Sequence, residues 1–502
     1  MNHGREIDHE AGAVALDSTR GRAVLAMAIL GSAVAMLTST VVGVALPTIA
    51  VDFEATSAQQ TWVINAYSLP LAALILIGGS LGDRSGRLRM YRIGIVWFAL
   101  ASLLCATAWN VESLIMFRVL QGIGGALLTP GSLAIVQATL RDEDRGRGVG
   151  AWSGLGGIAS AIGPLVGGLL VDASWRWAFL INVPVAIAAL VLSTRVPESR
   201  NDSAGASRLD VRGAVLTVIV LGGLSYALIE GPNDGWSPLD VALGAVAIVA
   251  IPVLLAIERG RDHAMLPVEL FADRTFSVVN SLTFTVYGAM GVVFFLLPLQ
   301  LQVTADWSPV GAGAALLPVT VVMLLFSARA GDLASRIGPR LPLTFGPLTV
   351  AVGMLLMLRI DSTASYVGDV LPAVLAYGCG LALMVAPLTS TALGAAPTQR
   401  AGAASGVNNA VSRTGGLLFV AAVPSLVGLT GTALSDPLQL DDGFGRAVIV
   451  SAIVVTLSGL LAFVLLPRAE SIADERTDVT VVSSRCPVDG NVTTTVGATT
   501  DA

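Results

Sequence analysis

Apolar residues run along this chain in blocks of about twenty, separated by short polar breaks. A block of that length crosses a bilayer as an α-helix, because lipid offers backbone amides no partner outside their own helix. The blocks predict spans near 23–47, 61–81, 91–109, 113–140, 148–171, 177–196, 210–230, 238–257, 275–303, 309–328, 340–359, 368–393, 402–428 and 446–467, fourteen in all. Twelve would follow if 210–257 lay as a surface hairpin, but both stretches there are apolar throughout, which favours fourteen. The expected fold class is all-α and integral to the membrane. The first 20 residues are polar and mixed in charge, without the apolar core and cleavage site of a signal peptide, so the first span is its own anchor. From 468 onward the chain is rich in Thr, Val, Asp and Ser and reads as disordered.

Composition and charge add an orientation. Of 502 residues, 54% are hydrophobic and 13% charged, with a mean hydropathy of +0.77. Soluble domains carry about 25% charged residues, so this chain lacks the surface to dissolve in water. All 29 basic residues are arginine. With the N-terminus in the cytoplasm, Arg84, Arg87, Arg89, Arg92, Arg141, Arg145, Arg147, Arg336 and Arg340 fall in cytoplasmic segments. Asp52, Glu54, Glu112, Glu230, Asp234, Asp306, Asp441 and Asp442 then fall outside. This is a positive-inside bias, and an even span count places both termini in the cytoplasm. A multi-pass monomer of the plasma membrane is expected, its partners being the bilayer and a small substrate. Cys105 and Cys379 lie in spans and Cys486 in the tail, so no disulfide is expected. Enzymes and ATP-driven pumps are disfavoured. His3, His9 and His263 all lie outside spans, no acid pair sits at membrane depth, and there is no GxxxxGK[ST] loop. No catalytic residue, metal site, cofactor or nucleic-acid partner is expected.

Between the second and third spans the chain reads Gly79-Ser-Leu-Gly-Asp83-Arg84-Ser-Gly86-Arg87-Leu-Arg89, a glycine-punctuated charged turn. A weaker copy, Gly331-Asp-Leu-Ala-Ser335-Arg336-Ile-Gly338-Pro-Arg340, keeps both glycines at the same spacing and places Ser335 where Asp83 stands. Repetition at matching topological positions is how many secondary transporters build two bundles that rock against each other.

The first turn resembles the loop-2/3 signature of the major facilitator superfamily. The resemblance implies that Gly79, Asp83, Arg84, Gly86 and Arg87, with Gly331 and Gly338, form a conformational latch. Asp83 can face a helix N-terminus and nearby guanidinium groups. Arg118-Val-Leu-Gln121-Gly-Ile-Gly124-Gly125 is similar to the family's fourth-helix motif, whose arginine is associated with proton coupling; Arg118 and Asp83 are the coupling candidates. Gly163-Pro164-Leu-Val-Gly167-Gly168 resembles the motif of the antiporter branch, with Ala159 replacing its usual preceding glycine. Small residues and a proline there favour close helix packing and a kink. Trp175-Arg176-Trp177 through Pro184 resembles the fourteen-span drug:proton antiporters of EmrB/QacA type, and also suits an interfacial aromatic belt. Further matches at Glu230-Gly-Pro, Leu266-Pro267, Leu297-Pro298-Leu-Gln300 and Ser405-Gly-x-Asn408-Asn409 extend the likeness over residues 25–467.

The resemblance implies two six-helix pseudo-symmetric bundles, 23–196 and 275–467, joined by a linker 197–274 with two additional helices. Tails at 1–22 and 468–502 flank them. Two departures bear on function. Thr38 stands where relatives place an Asp that is a candidate proton site, and a hydroxyl does not titrate near neutral pH. Arg413 follows Asn409 by four residues where relatives place an Arg at three, which turns the side chain by about 100°. Thr38, Tyr67, Phe284, Tyr287, Asn408, Asn409 and Arg413 are the substrate-cavity candidates, each with a helix-packing role as the alternative. The expected function is proton-coupled export of hydrophobic or amphiphilic compounds by alternating access. A weakly coupled or proton-independent mover of lipids or lipid-like metabolites, and a non-transporting scaffold or sensor, remain open.

Overall fold

The computed structural model describes residues 14–198, 209–261, 265–397 and 400–467. The first 13 residues with His3 and His9, His263, the tail from 468 with Cys486, and the side chain of Ala159 lie outside the described residues. Every regular element described is helical, apart from an isolated bridge between Val14 and Leu140. The α-helices are α1 (Thr19–Phe53), α2 (Ser57–Ser85), α3 (Arg87–Ala106), α4 (Val111–Thr139), α5 (Asp142–Ala173), α6 (Trp177–Leu180) and α7 (Asn182–Ser193). They continue as α8 (Val211–Asp234), α9 (Pro238–Glu258), α10 (Arg274–Leu299), α11 (Pro309–Ala315), α12 (Leu317–Ile337), α13 (Pro342–Leu356), α14 (Leu371–Gly394), α15 (Ala401–Leu426) and α16 (Pro437–Leu465).

Local sequence explains several starts. Thr56 accepts from Gln59 N–H while Gln59 Oε1 accepts from Thr56 N–H, a reciprocal cap that opens α2. Asn110 with Ser113, and Ser237 with Asp240, open α4 and α9 in the same way. Among the described residues eleven helices are long and apolar enough to cross a membrane. Three further stretches run beside them: α5, the α6–α7 pair and α15. Of these, α15 carries Asn408, Asn409 and Arg413 within its length. The α6–α7 stretch is short, and Ile181 interrupts it.

Helices also run past their apolar windows. The turn expected across Gly79–Arg89 contracts to a corner, because α2 stays helical through Ser85 and α3 resumes at Arg87. Gly86 alone makes the corner, with φ of 103°. Gly338, its counterpart in the repeat, closes α12 with φ of 81°. Side chains with a Cβ rarely tolerate that backbone, which is why both copies keep this glycine.

Two helical groups are formed. In the first, α2 and α3 pack on α4, while α1 packs on α4, α5 and α7. In the second, α10 packs on α15 and α16, and α13 packs on α14 and α16. They meet where α2 faces α15, α1 faces α10, and α5 faces α11 and α12. Helix α8 packs on α9 and also straddles α2 and α15, burying Leu221 beside Ala72, Ala73 and Leu417. The outward faces are apolar, as with Leu100 on α3, Val249 on α9 and Leu457 on α16, which suits lipid and not water.

A polar clasp closes the α8–α9 hairpin. Asp210 caps α8 through Gly213 N–H at 3.0 Å and accepts from Met265 N–H at 3.3 Å, with Arg261 at 3.4 Å. Glu258 accepts from Leu266 N–H at 2.9 Å, and both carboxyl groups lie against Gly213. Burial alone would raise the Asp210 pKa, but these bonds and Arg261 outweigh it and hold the group below the usual carboxylate range.

Candidate functional site

The site residues read from the sequence fall into four places. At the arginine-rich end, Asp83 Oδ1 accepts from Arg87 Nε at 2.7 Å, one turn further on. Arg87 also reaches the Ala134 carbonyl at 3.4 Å, tying the corner to α4. The acid at the N-terminus of α3 is Glu198, which accepts from Leu88 N–H at 2.9 Å and Arg89 N–H at 3.1 Å. Asp83 cannot fill that position because it sits inside the last turn of α2, on the other side of Gly86. Arg84 is exposed in the same turn. Gly79 lies against Pro130, and its repeat partner Gly331 against Ala386.

Within the first group, Arg118 is buried, with two of its guanidinium nitrogens bonded to neutral partners. Its Nε donates to the Val63 carbonyl at 2.9 Å and one terminal nitrogen to Gln121 Oε1 at 2.7 Å. Gln121 Nε2 in turn donates to Ser102 at 2.8 Å, and the guanidinium lies 4.5 Å from the centre of the Tyr67 ring. The i, i+3 spacing of Arg118 and Gln121 puts both on one helix face, so that part of the network was visible in sequence. The partners on α2 and α3 were not.

Where the groups meet, the glycine motif of α5 works as a packing surface. A Cβ at Gly163 would lie 2.2 Å from Thr40 Oγ1, and one at Gly167 would lie 3.1 Å from Val41, so both seat α5 on α1. A Cβ at Gly168 would lie 2.5 Å from the Pro309 carbonyl oxygen, and one at Gly313 of α11 only 2.0 Å from the Pro164 oxygen. These two glycines bring the groups into backbone contact at the end opposite the arginine-rich corners. Hydrogen bonds between the groups cluster at that same end. Ser57 N–H donates to Gly431 O at 2.7 Å, Leu434 N–H to Ser57 at 3.1 Å, Gln60 to Ser435 at 3.0 Å and Gln302 to the Val44 carbonyl at 3.1 Å. Gly313, Ser57 and Gly431 carried no family signal, and only the packing identifies them. Nearby, Trp175 donates to Asp52 at 2.9 Å and Arg176 stacks on Trp175 at 4.3 Å, so this motif ties α6 to the end of α1.

The cavity candidates separate. Thr38 is buried and donates to the Val34 carbonyl of its own helix at 2.9 Å. Asn408 clamps α15 to α10 through Asn280 at 3.1 Å and Thr283 at 2.9 Å, while Asn409 is exposed. Phe284 meets Phe419 edge-on at 5.7 Å. Tyr67 and Arg413 lie on the facing helices α2 and α15, and Tyr287 of α10 has its carbonyl against Gly416, three residues past Arg413. Asn65, which sequence reasoning missed, crosses the same interface to the Leu417 carbonyl at 3.3 Å. A groove of about 630 Å³ lined by Trp307, Val321 and Tyr366 opens elsewhere and touches none of these residues.

Two helical groups that seal against each other at one end and bury arginines midway define a membrane transporter of the two-halved kind. The chain belongs to the Major Facilitator Superfamily, whose sequence model matches residues 28–420. It is 32% identical over 468 residues to the puromycin resistance protein pur8 of Streptomyces alboniger, covering 90% of this chain and 92% of that one. It is also 32% identical to the multidrug resistance protein Stp of Mycobacterium tuberculosis (strain ATCC 25618 / H37Rv), covering 81% and 76%. Among solved structures, a bacterial homologue of the human lysosomal transporter Spinster, in an inward-facing and unoccupied conformation, superposes with a TM-score of 0.65. That likeness has 17% identity and covers 89% of this chain and 97% of that one.

Proposed function

We propose that this protein is a fourteen-span plasma-membrane exporter of hydrophobic or amphiphilic drug-like compounds, working by alternating access and driven by the proton gradient. The carrying observation is the seam itself, closed by backbone contact at Gly168 and Gly313 at one end. Glycine contacts of this kind can separate without breaking covalent or ionic links, as a rocking motion of two halves requires. The resistance functions named for relatives support the substrate class. With the arginine-rich end in the cytoplasm, the sealed end faces outward, and the cavity receives substrate from inside. The helices α5, α6–α7 and α15 complete the count of fourteen, and α8–α9 are the extra pair of the drug:proton antiporter branch.

A second reading, a gradient-indifferent mover of lipid-like amphiphiles, is favoured by Thr38, whose hydroxyl is spent on its own helix and offers no titratable group. Liposomes holding the purified protein separate the two. Flux of a fluorescent amphiphile that rises with an imposed pH gradient supports the antiporter. Flux that ignores the gradient supports the lipid mover. No flux above protein-free liposomes for any amphiphile would sink both.

A further inference from the structure

Arg413 sits at the middle of α15, and its position along the seam follows from its neighbours. Gly406 of α15 faces Leu76 of α2, and Leu417 accepts from Asn65 of α2. Ala421 clusters with Ala58. The two helices therefore run antiparallel, and Arg413 shares a face with Leu417 one turn later and with Gly406 two turns earlier. That places it opposite Leu69 of α2, half-way through both helices.

Its side chain is only partly covered, yet its Nε is buried without a hydrogen-bond partner. Among the described residues no carboxylate pairs with it, and none pairs with Arg118 across the Tyr67 ring. Arg118 differs in having its donors engaged by Val63 and Gln121. The Tyr67 hydroxyl is likewise engaged, donating to the Ala35 carbonyl at 3.1 Å. Tyr287 approaches from α10, half-buried, with its carbonyl oxygen 3.7 Å from where a Cβ on Gly416 would lie, three residues past Arg413. An arginine at membrane depth without a counter-charge is costly and marks a functional site by default. A planar guanidinium with open donors suits a carboxylate, sulfonate or phosphate above other groups. Along this face the neighbours Leu417 and Leu69 are apolar.

We propose that Arg413, with the Tyr287 hydroxyl as a second donor, is an anion-binding subsite in the seam, and that the substrates include amphiphiles with an anionic headgroup. This rests on the exporter reading and names a substrate class for its cavity. The headgroup comes either from a soluble compound or from an anionic lipid.

The test uses three probes that share one apolar body: anthracene-9-carboxylate, 9-anthracenemethanol and 9-(aminomethyl)anthracene. Binding is read by fluorescence anisotropy on the full chain in phosphatidylcholine nanodiscs. The carboxylate should bind about tenfold or more tightly than the alcohol. Arg413→Gln should abolish that preference while leaving the alcohol's affinity unchanged. Arg413→Lys should keep part of it, which excludes misfolding as the cause. If Arg413→Gln leaves the preference intact, or weakens the carboxylate and the alcohol equally, the proposal is overturned. With the Arg413 dependence in place, phosphatidylglycerol nanodiscs that displace the carboxylate identify a lipid headgroup as occupant. Indifference to phosphatidylglycerol identifies a soluble anion. Alcohol flux in liposomes keeps the two readings apart: its absence in the unaltered protein strikes the exporter, whereas its persistence in Arg413→Gln leaves the exporter standing.

Discussion

Gly313→Ala adds one methyl group where the seam is tightest. Its Cβ would lie 2.0 Å from the Pro164 carbonyl oxygen and 2.6 Å from the carbonyl carbon, both backbone atoms that no rotamer change can move. Ordinary C···O contact is about 3.3–3.6 Å, so α5 and α11 must part by more than about 1 Å. Overpacking of this order costs about 1–3 kcal/mol. The penalty falls on the sealed form alone, since the contact is lost once the groups separate. It therefore shifts the balance between sealed and opened forms by roughly 5- to 150-fold. The assay is a pulsed electron-resonance distance between spin labels at Glu54→Cys and Asp306→Cys, exposed residues on either side of the sealed end. Cys379 and Cys486 are replaced by Ala, and buried Cys105 can stay. In Gly313→Ala the distance distribution should gain a longer component and efflux should slow. Gly150→Ala, on α5 with nothing within 4 Å of the added atom, is the control and should change neither. A Gly313→Ala distribution identical to that of the unaltered protein, or an equal shift in Gly150→Ala, would refute the seam as the moving contact.

Other substitutions test separate parts of the structure. Arg118→Met leaves the buried Gln121 Oε1 without its donor, at about 1–3 kcal/mol for the group left unpaired, and removes the tie to the Val63 carbonyl, so the melting temperature in detergent should fall. An unchanged melting temperature would show that the network contributes nothing to stability. Thr38→Asp places a titratable group where the chain has a hydroxyl, and flux should gain pH dependence; an unaltered pH profile would locate coupling elsewhere. Asp210→Asn loosens the α8–α9 clasp. Because the Asp210 pKa is depressed in the folded protein, its contribution is present above the unfolded value of about 3.9 and is lost as pH falls through the folded one. The difference in melting temperature between Asp210→Asn and the unaltered protein should thus be largest near pH 7 and shrink below about pH 4. A difference independent of pH would rule out the ionised carboxylate as its source.

The helical, membrane-spanning class and the superfamily were legible in sequence because lipid forces each backbone amide to be satisfied within its own segment. Helix existence therefore depends on local apolar length, and the corners at Gly86 and Gly338 depend on a backbone only glycine accepts readily. Local pattern also showed that Arg118 shares a face with Gln121 and that Thr38 carries no titratable group. It could not show which residue would cap α3. Glu198, more than a hundred residues after the corner, occupies that N-terminus, and no local signal marked it. Nor could it show that Gly313, outside every recognised motif, makes the closest backbone approach to α5.

Arg413 shows the division most clearly. Sequence alone established that a cation lies within an apolar segment. Only the packing of α15 against α2 decided which way that residue points, who neighbours it and that its Nε lacks a partner. The physical reason is range. Hydrophobic length and glycine geometry act within a few residues of chain, whereas a charge in a low-dielectric seam is governed by whatever the tertiary fold brings beside it.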